Sequence, residues 1–243
     1  MTAERAHQIS AVIDRPKKAF QFRARRASIA LMKKTIFAIL ALTVAVPAFA
    51  QTVAVQDGNI QFTDKSGNTT ALTSSGRDSD PVLAPDAKWV VFVRKIDGEK
   101  IVTGSDETDP SELWQVRVDG KEPTMLLRCG DAKGDKDHPL AASQSLQFST
   151  NGKLVYFTSP QWATSGAVHV VDTTNRKEHY LFPGNEVKVV TGGEYKDCLL
   201  VQQHRYFIGG GSYDWFWLLR ADGKEVGPVG EDISNFEASY GNE

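Results

Sequence analysis

The chain has 243 residues, 41% of them hydrophobic and 24% charged, a composition that fits a folded globular domain and excludes collagenous or charge-extended chains. Nine of its 28 Lys and Arg but only two of its 30 Asp and Glu fall in residues 1–50, so residues 51–243 hold 19 basic and 28 acidic side chains. That acidic balance argues against a nucleic-acid partner, because phosphate binding needs clustered Lys and Arg.

Residues 1–31 are basic and show no hydrophobic period. They precede a second methionine, Met32, and read either as an extension from a mis-called start codon or as a long basic leader region. From Met32, Lys33 and Lys34 give a short positive start, Thr35 to Val46 an apolar run, and Ala48-Phe49-Ala50 a small-x-small cleavage signature. This order is that of a secretory signal peptide, 32–50, cut between Ala50 and Gln51. A membrane-spanning helix would need roughly 20 apolar residues, and Pro47 ends this run early. The expectation is an exported protein, periplasmic or secreted, with residues 51–243 as one domain and no stable membrane span.

Beyond Gln51, short β-branched and aromatic runs alternate with turn residues. Val53–Val55, Asn59–Thr63, Trp89–Val93, Leu113–Val118, Leu154–Thr158, Ala167–Val171, Leu199–Gln203 and Trp215–Leu219 predict strands, and no stretch sustains a helical period. Asp57-Gly58, Asp97-Gly98, Asp119-Gly120, Asn151-Gly152 and Asp222-Gly223 tolerate positive φ and predict tight hairpins. The fold class is therefore all-β.

The pattern repeats. Pro81 to Val93 and Ser145 to Phe157 each read as strand, turn ending in Lys, then a strand carrying an aromatic. Three later runs end at Lys121, Lys177 and Lys224, 56 and 47 positions apart, near the ~40–50-residue period of a four-stranded propeller blade. Ala84-Pro85-Asp86-Ala87-Lys88-Trp89-Val90-Val91-Phe92 and Ser149-Thr150-Asn151-Gly152-Lys153-Leu154-Val155-Tyr156-Phe157 resemble the blade motif of the TolB-like β-propeller repeat family, with Ala87 where the motif has Gly. The resemblance implies a small propeller of about four blades. Thr52–Thr73 reads as a blade lacking its first strand, and Asp232–Tyr240 as the strand that completes it, so that N- and C-terminal strands together close the ring.

Cys129 and Cys198 admit either a disulfide, in an oxidising compartment, or two buried thiols. The propeller register opposes the bond, because it separates the two by more than the ~7 Å a disulfide spans.

Catalytic signals are thin. Gly210-Gly211-Ser212-Tyr213-Asp214 approaches a nucleophile elbow but lacks the final Gly. Asp131, Asp135, Asp137 and His138 form a polar loop that could offer ligands to Ca²⁺, which takes about six to eight oxygens, although Lys133 and Lys136 offset its charge; no other cofactor is indicated. Gly104–Pro110 is a second acidic loop. The aromatic segment His204–Trp217 is the best binding candidate: Tyr206, Tyr213, Trp215 and Trp217 are side-chain types that dominate interfaces, alternation puts Trp215 and Trp217 on one face, and Trp162 stands in a separate loop. The alternative is that these rings fill space between blades. Two functions follow as expectations: a non-enzymatic module that binds an envelope protein or peptide, or a small-molecule or metal-binding exported protein with enzymatic activity.

Overall fold

In the computed structural model, which describes residues 50–104, 106–130 and 140–240, the turns before the second or fourth strand of a blade close by one device. The backbone N–H of Lys88, Lys121, Lys153 and Lys224 donates to the side-chain oxygen of Asp86, Asp119, Asn151 and Asp222, at 2.9, 3.1, 3.0 and 3.0 Å. The residue between must turn left-handed: φ is 75° at Gly120, 70° at Gly152, 82° at Gly223 and 54° at Ala87. Of these four, Ala87 alone carries a Cβ into that region, where an L-residue loses about 1–2 kcal/mol; Arg176, φ 60°, does the same in the Asn175–Lys177 turn.

These turns join strands into consecutive antiparallel sheets. The first has three strands, β1 (Thr52–Gln56), β2 (Asn59–Thr63) and β3 (Thr69–Ala71). The second contains β4 (Asp78–Leu83) and β5 (Trp89–Lys95), and is interrupted by the hairpin β6 (Ile101–Thr103) and β7 (Asp106–Thr108). It resumes with β8 (Ser111–Arg117) and β9 (Thr124–Arg128), in the order β4-β5-β8-β9. Asp97-Gly98 thus opens an insertion instead of a tight turn. The third sheet runs β10 (Gln144–Phe148), β11 (Leu154–Ser159), β12 (Ala167–Asp172) and β13 (Glu178–Pro183). The fourth runs β14 (Glu186–Val189), β15 (Leu199–Tyr206), β16 (Ser212–Leu219) and β17 (Glu225–Gly230). All eight runs predicted as strands between Val53 and Leu219 are present, and the sheets are the blades of a small propeller.

Apolar residues between successive blades make three cores. Ile60, Phe62 and Leu72 meet Val90, Phe92 and Val116; Val91, Leu113 and Leu127 meet Leu146, Val155 and Phe157; Val168, Val170 and Phe182 meet Val187, Leu199 and Val201. A fourth cluster, Val190, Leu200, Phe216 and Leu218, lies on the far face of the last blade.

Here the C-terminal expectation is corrected. Residues 234–240 are not a strand closing the first blade but a helix, α1 (Ser234–Tyr240), and the first sheet stays three-stranded. Ile233, Phe236 and Tyr240 recur at helical spacing. Ile233 and Phe236 pack on the fourth cluster, while the Phe236 and Tyr240 rings lie 5.8 and 4.9 Å from that of Tyr195. Asp232 fixes the helix start by accepting from the Ser234 N–H at 2.7 Å. The helix covers the face that a closed ring would have turned to the first blade.

The cysteines belong to different blades and are both free, so there is no disulfide. Cys129 is buried in the core between the second and third blades, with Sγ 3.1 Å from Ser143 Oγ. Burial pushes its pKa up to about 11, which keeps it an unreactive thiol. Cys198 lies beside the fourth cluster.

Candidate functional site

In an antiparallel meander, every connection between a blade's second and third strands emerges on the same rim. The first blade makes this connection with the tight turn Asp57-Gly58, φ 50° and 68°. In the other three it is extended: the 96–110 insertion, the 160–166 loop, and the 203–215 ribbon. The first two of these segments touch. A Cβ on Gly104, φ 54°, would lie 2.7 Å from the backbone N of Ala163, so the insertion backs directly onto the next blade's loop. Asn185, just before β14, accepts from the Gly166 N–H at 2.7 Å and donates to the Thr164 carbonyl at 3.3 Å.

The ribbon projects from its sheet. β14 pairs with β15 only as far as Gln202, and β17 pairs with β16 only from Phe216. Gln203↔Trp215, His204↔Asp214, Arg205↔Tyr213 and Tyr206↔Ser212 therefore pair with each other alone. Four such pairs carry the tip about 13 Å past the sheet at ~3.3 Å per residue. One ribbon face is a ladder of rings: Phe207 to Tyr213 at 4.6 Å, Tyr213 to Trp215 at 4.9 Å. It ends with the Arg205 guanidinium 3.6 Å over Trp217. Gln203 and Glu225 hold that guanidinium by bonds of 2.6 Å each. The other face carries His204 against Tyr206, centroids 5.0 Å apart, with His204 Nδ1 2.8 Å from Asp214.

The expected aromatics are thus divided. Tyr213, Trp215 and Trp217 share a face, with Trp217 packed on the core between the third and fourth blades, and Phe216 opposite, in the fourth cluster. Tyr206 belongs to the reverse face. At the tip, Tyr206 is 69%, Phe207 51% and Ile208 109% exposed. Gly209, Gly210 and Gly211 leave open space around them. Phe207 and Ile208 were not singled out by residue type; the Gly triplet that follows them is the signal that marks a bare tip. Ser212 begins an antiparallel strand here, not the strand-to-helix turn of a nucleophile elbow.

Trp162 stands apart, in a cleft of about 300 Å³ bordered by Gln144, Thr158, Ser159, Thr164, Ser165 and Asn185 among others. Gln144 reaches it from a β-bulge in β10 where Ser145 adopts φ 51°. The loop is braced: Trp162 N–H donates to the Ser165 carbonyl at 2.8 Å, and Ser159 Oγ accepts from Ala141 N–H at 3.0 Å.

The metal candidates Asp131, Asp135, Asp137 and His138 lie outside the described residues. Among the described residues, no group of three or more His, Cys, Asp or Glu side chains is placed to hold a metal ion. In the second acidic loop, Lys95 pairs with Asp109 at 2.7 Å and Lys100 with Glu107 at 3.5 Å. No described helix is long and apolar enough to cross a membrane.

No protein-family model matches the chain, and neither does any curated protein. Solved structures do. A protein assigned as TolB from Agrobacterium tumefaciens aligns with TM-score 0.52 and 12% identity, over 77% of this chain and 60% of that one. An oligogalacturonate lyase in complex with manganese gives 0.48 and 12%, over 72% and 43%. TolB from Acinetobacter baumannii gives 0.43 and 13%, over 74% and 53%. This chain therefore spans about 60% or less of the length of these structures. At such identity the likeness speaks to architecture, and by architecture the chain is a TolB-like β-propeller.

Proposed function

We propose that the chain is a non-enzymatic, protein- or peptide-binding propeller of the bacterial cell envelope, exported by the leader at residues 32–50 and engaging its partner through the 203–215 ribbon. The observation that carries this reading is the bare apolar tip: three consecutive large side chains, Tyr206, Phe207 and Ile208, at least half exposed. Isolated exposed hydrophobics are ordinary, whereas contiguous ones mark contact surfaces. Behind the tip, the Phe207–Tyr213–Trp215 ladder and the clamped Arg205 hold the ribbon straight, so little order is lost on binding. The TolB-like architecture supports the reading, since it supplies a rigid rim on which such a ribbon can be mounted. A thiol held protonated at Cys129 and a serine at a hairpin end offer no activated nucleophile.

The test compares wild-type mature protein with a variant carrying Tyr206→Ser, Phe207→Ser and Ile208→Ser, in affinity capture from crosslinked periplasm. Burying one Phe or Ile is worth about 1.5–3 kcal/mol, so losing two should weaken capture at least about tenfold. The exposed tip contributes little to folding, and the melting temperature should hold. A captured protein set identical for the two proteins would refute the ribbon as the contact element.

A further inference from the structure

We infer that the first blade accepts an extended peptide from another protein as its missing inner strand, hydrogen-bonded along the free edge of β1. In the other three blades an inner strand, β4, β10 or β14, runs antiparallel beside the second strand. The first blade begins at its second strand, β1, and among the described residues no strand lies on the other side of it. On the proposed cut after Ala50, Gln51 is the first residue, so the mature chain has no segment ahead of β1 to fold back there.

The register of β1 shows which backbone groups are on offer. Gln56 and Asn59 flank the turn Asp57-Gly58 and form the hydrogen-bonded pair that closes the hairpin. Bonded and unbonded pairs alternate from there. Ala54↔Gln61 and Thr52↔Thr63 exchange bonds, whereas Val53↔Phe62 and Val55↔Ile60 do not. Ile60 fixes this phase, because its own backbone turns away from β1. Its N–H donates to Thr73 Oγ1 at 2.9 Å, and its carbonyl accepts from the Leu72 N–H at 2.8 Å. Val53 and Val55 therefore each aim an N–H and a C=O at the open side.

Sheet edges are normally blunted by bulges, charges, proline or shortness, and the other blade edges here are. β3 has three residues. β4 and β10 bulge. β9, β13 and β17 are joined through shifted registers, with Pro228 inside the last. β14 carries Glu186 and Lys188 in four residues. β1 has none of these features: Thr52–Gln56 is five residues without charge, Gly or Pro, paired in one unbroken register. A smooth, uncharged edge is what strand addition requires.

Alternation sets the chemistry of the incoming strand. Val53 and Val55 share the face of Phe62 and Ile60, toward the second blade. Val53 packs partly on that core, and Val55 is left 45% exposed. Thr52, Ala54 and Gln56 lie exposed on the opposite face. The peptide then needs apolar, β-branched residues opposite Val53 and Val55, where cross-strand pairs of that kind stabilise, and polar residues between them. A second copy of this chain fits worse. β4 lies against β1, as β10 lies against β4 and β14, an arrangement that admits a lone inner strand. Antiparallel pairing of β1 with its copy would keep like faces together and set two β4 strands over one joint.

The test titrates ¹⁵N-labelled mature protein with the synthetic peptide acetyl-Lys-Thr-Val-Thr-Val-Thr-Lys-amide. The Val53 and Val55 amides are expected to shift in a saturable way at millimolar peptide and to exchange more slowly, while those of Tyr206, Phe207 and Ile208 stay in place. N-methylation of the two peptide valines removes the donors that face β1 and should weaken binding at least about tenfold. N-methylation of the central threonine, whose N–H faces away, should leave it nearly unchanged. Val55→Pro removes one outward N–H without touching the bonds to β2; it should abolish binding and keep the melting temperature. The triple serine variant of the ribbon should bind the peptide as the wild type does, which separates this edge from the ribbon contact. No saturable shift at Val53 and Val55, equal binding of the valine-methylated peptide, or shifts confined to the ribbon would each overturn the inference. So would a dimer on sizing chromatography whose Val53 and Val55 amides move with protein concentration, since a second copy would then hold the edge. The N-methyl comparison uses wild-type protein and decides the matter even if Val55→Pro fails to fold.

Discussion

The Asp78 carboxylate, with no exposed surface, receives Arg94 Nε and Nη2 at 2.6 and 3.0 Å. The Asp78 N–H donates to the Gly58 carbonyl of the first blade at 2.8 Å. The residue thus links two blades, while Arg94 itself lies 4.8 Å over the Trp114 ring. Burial alone pushes the Asp78 pKa up, but the bonds from Arg94, Thr73 and Ser75 outweigh it and hold the carboxyl below its ordinary 3.8. A folded pKa below the unfolded one means that the pair contributes fully above about pH 4 and is lost as pH falls through the lower folded value. Asp78→Asn leaves the Arg94 charge half-buried without its partner and should cost about 3 kcal/mol. Urea denaturation from pH 7 to 3 should show the wild type converging on the variant as pH falls. A gap that stays constant across that range would assign the loss to packing.

Among the elements, α1 illustrates how a local pattern is overruled by what it rests on. A seven-residue helix is too short to hold itself together in water, so it exists because Ile233 and Phe236 cover the far face of the last blade. Phe236→Ala should cost about 2 kcal/mol, less than the ~3–5 kcal/mol of a fully buried Phe. It should also speed hydrogen exchange in β16 and β17, leaving β1 and β2 unaltered. Protection lost in β1 instead would mean that the C-terminus supports the first blade after all. The strands themselves were readable, because alternation and Asp/Asn-Gly-Lys turns are local and each acts within four residues. The helix was not: Ile233, Phe236 and Tyr240 have the spacing, but three residues are too few for a period to stand out. The ribbon shows the same limit. Alternation placed Trp215 and Trp217 on one face, yet the bareness of Tyr206 and Ile208 depends on where β14 and β17 stop, at Glu186 and Gly230, 20 to 24 residues away in sequence. The cleft could not be read at all, since it needs the Gly104 insertion of one blade beside the loop of the next.

For the molecule as a whole, the packing is serial: first blade on second, second on third, third on fourth. Both ends are finished separately. The outward positions of β2, Asn59, Gln61 and Thr63, are polar, and Thr63 bonds Thr69 Oγ1 at 3.0 Å; α1 covers the opposite end. Stability in such a series is a sum of neighbour contacts. Amide exchange should therefore be slowest in β5, β11 and β12, which have a blade on either side, and fastest in β1 and β3. Uniform protection across all four sheets would point to ring-like cooperativity. This arrangement has a consequence for how the protein can change over generations. A ring fixes its own membership, since the tilts of its sheets must total one full turn, and an added sheet would strain every joint. A series with a finished surface at each end has no such total to satisfy. In-frame duplication of a segment such as 140–183 would lengthen it by one sheet and leave both end surfaces as they are, so descendants of this gene are free to differ in blade number while keeping the same termini.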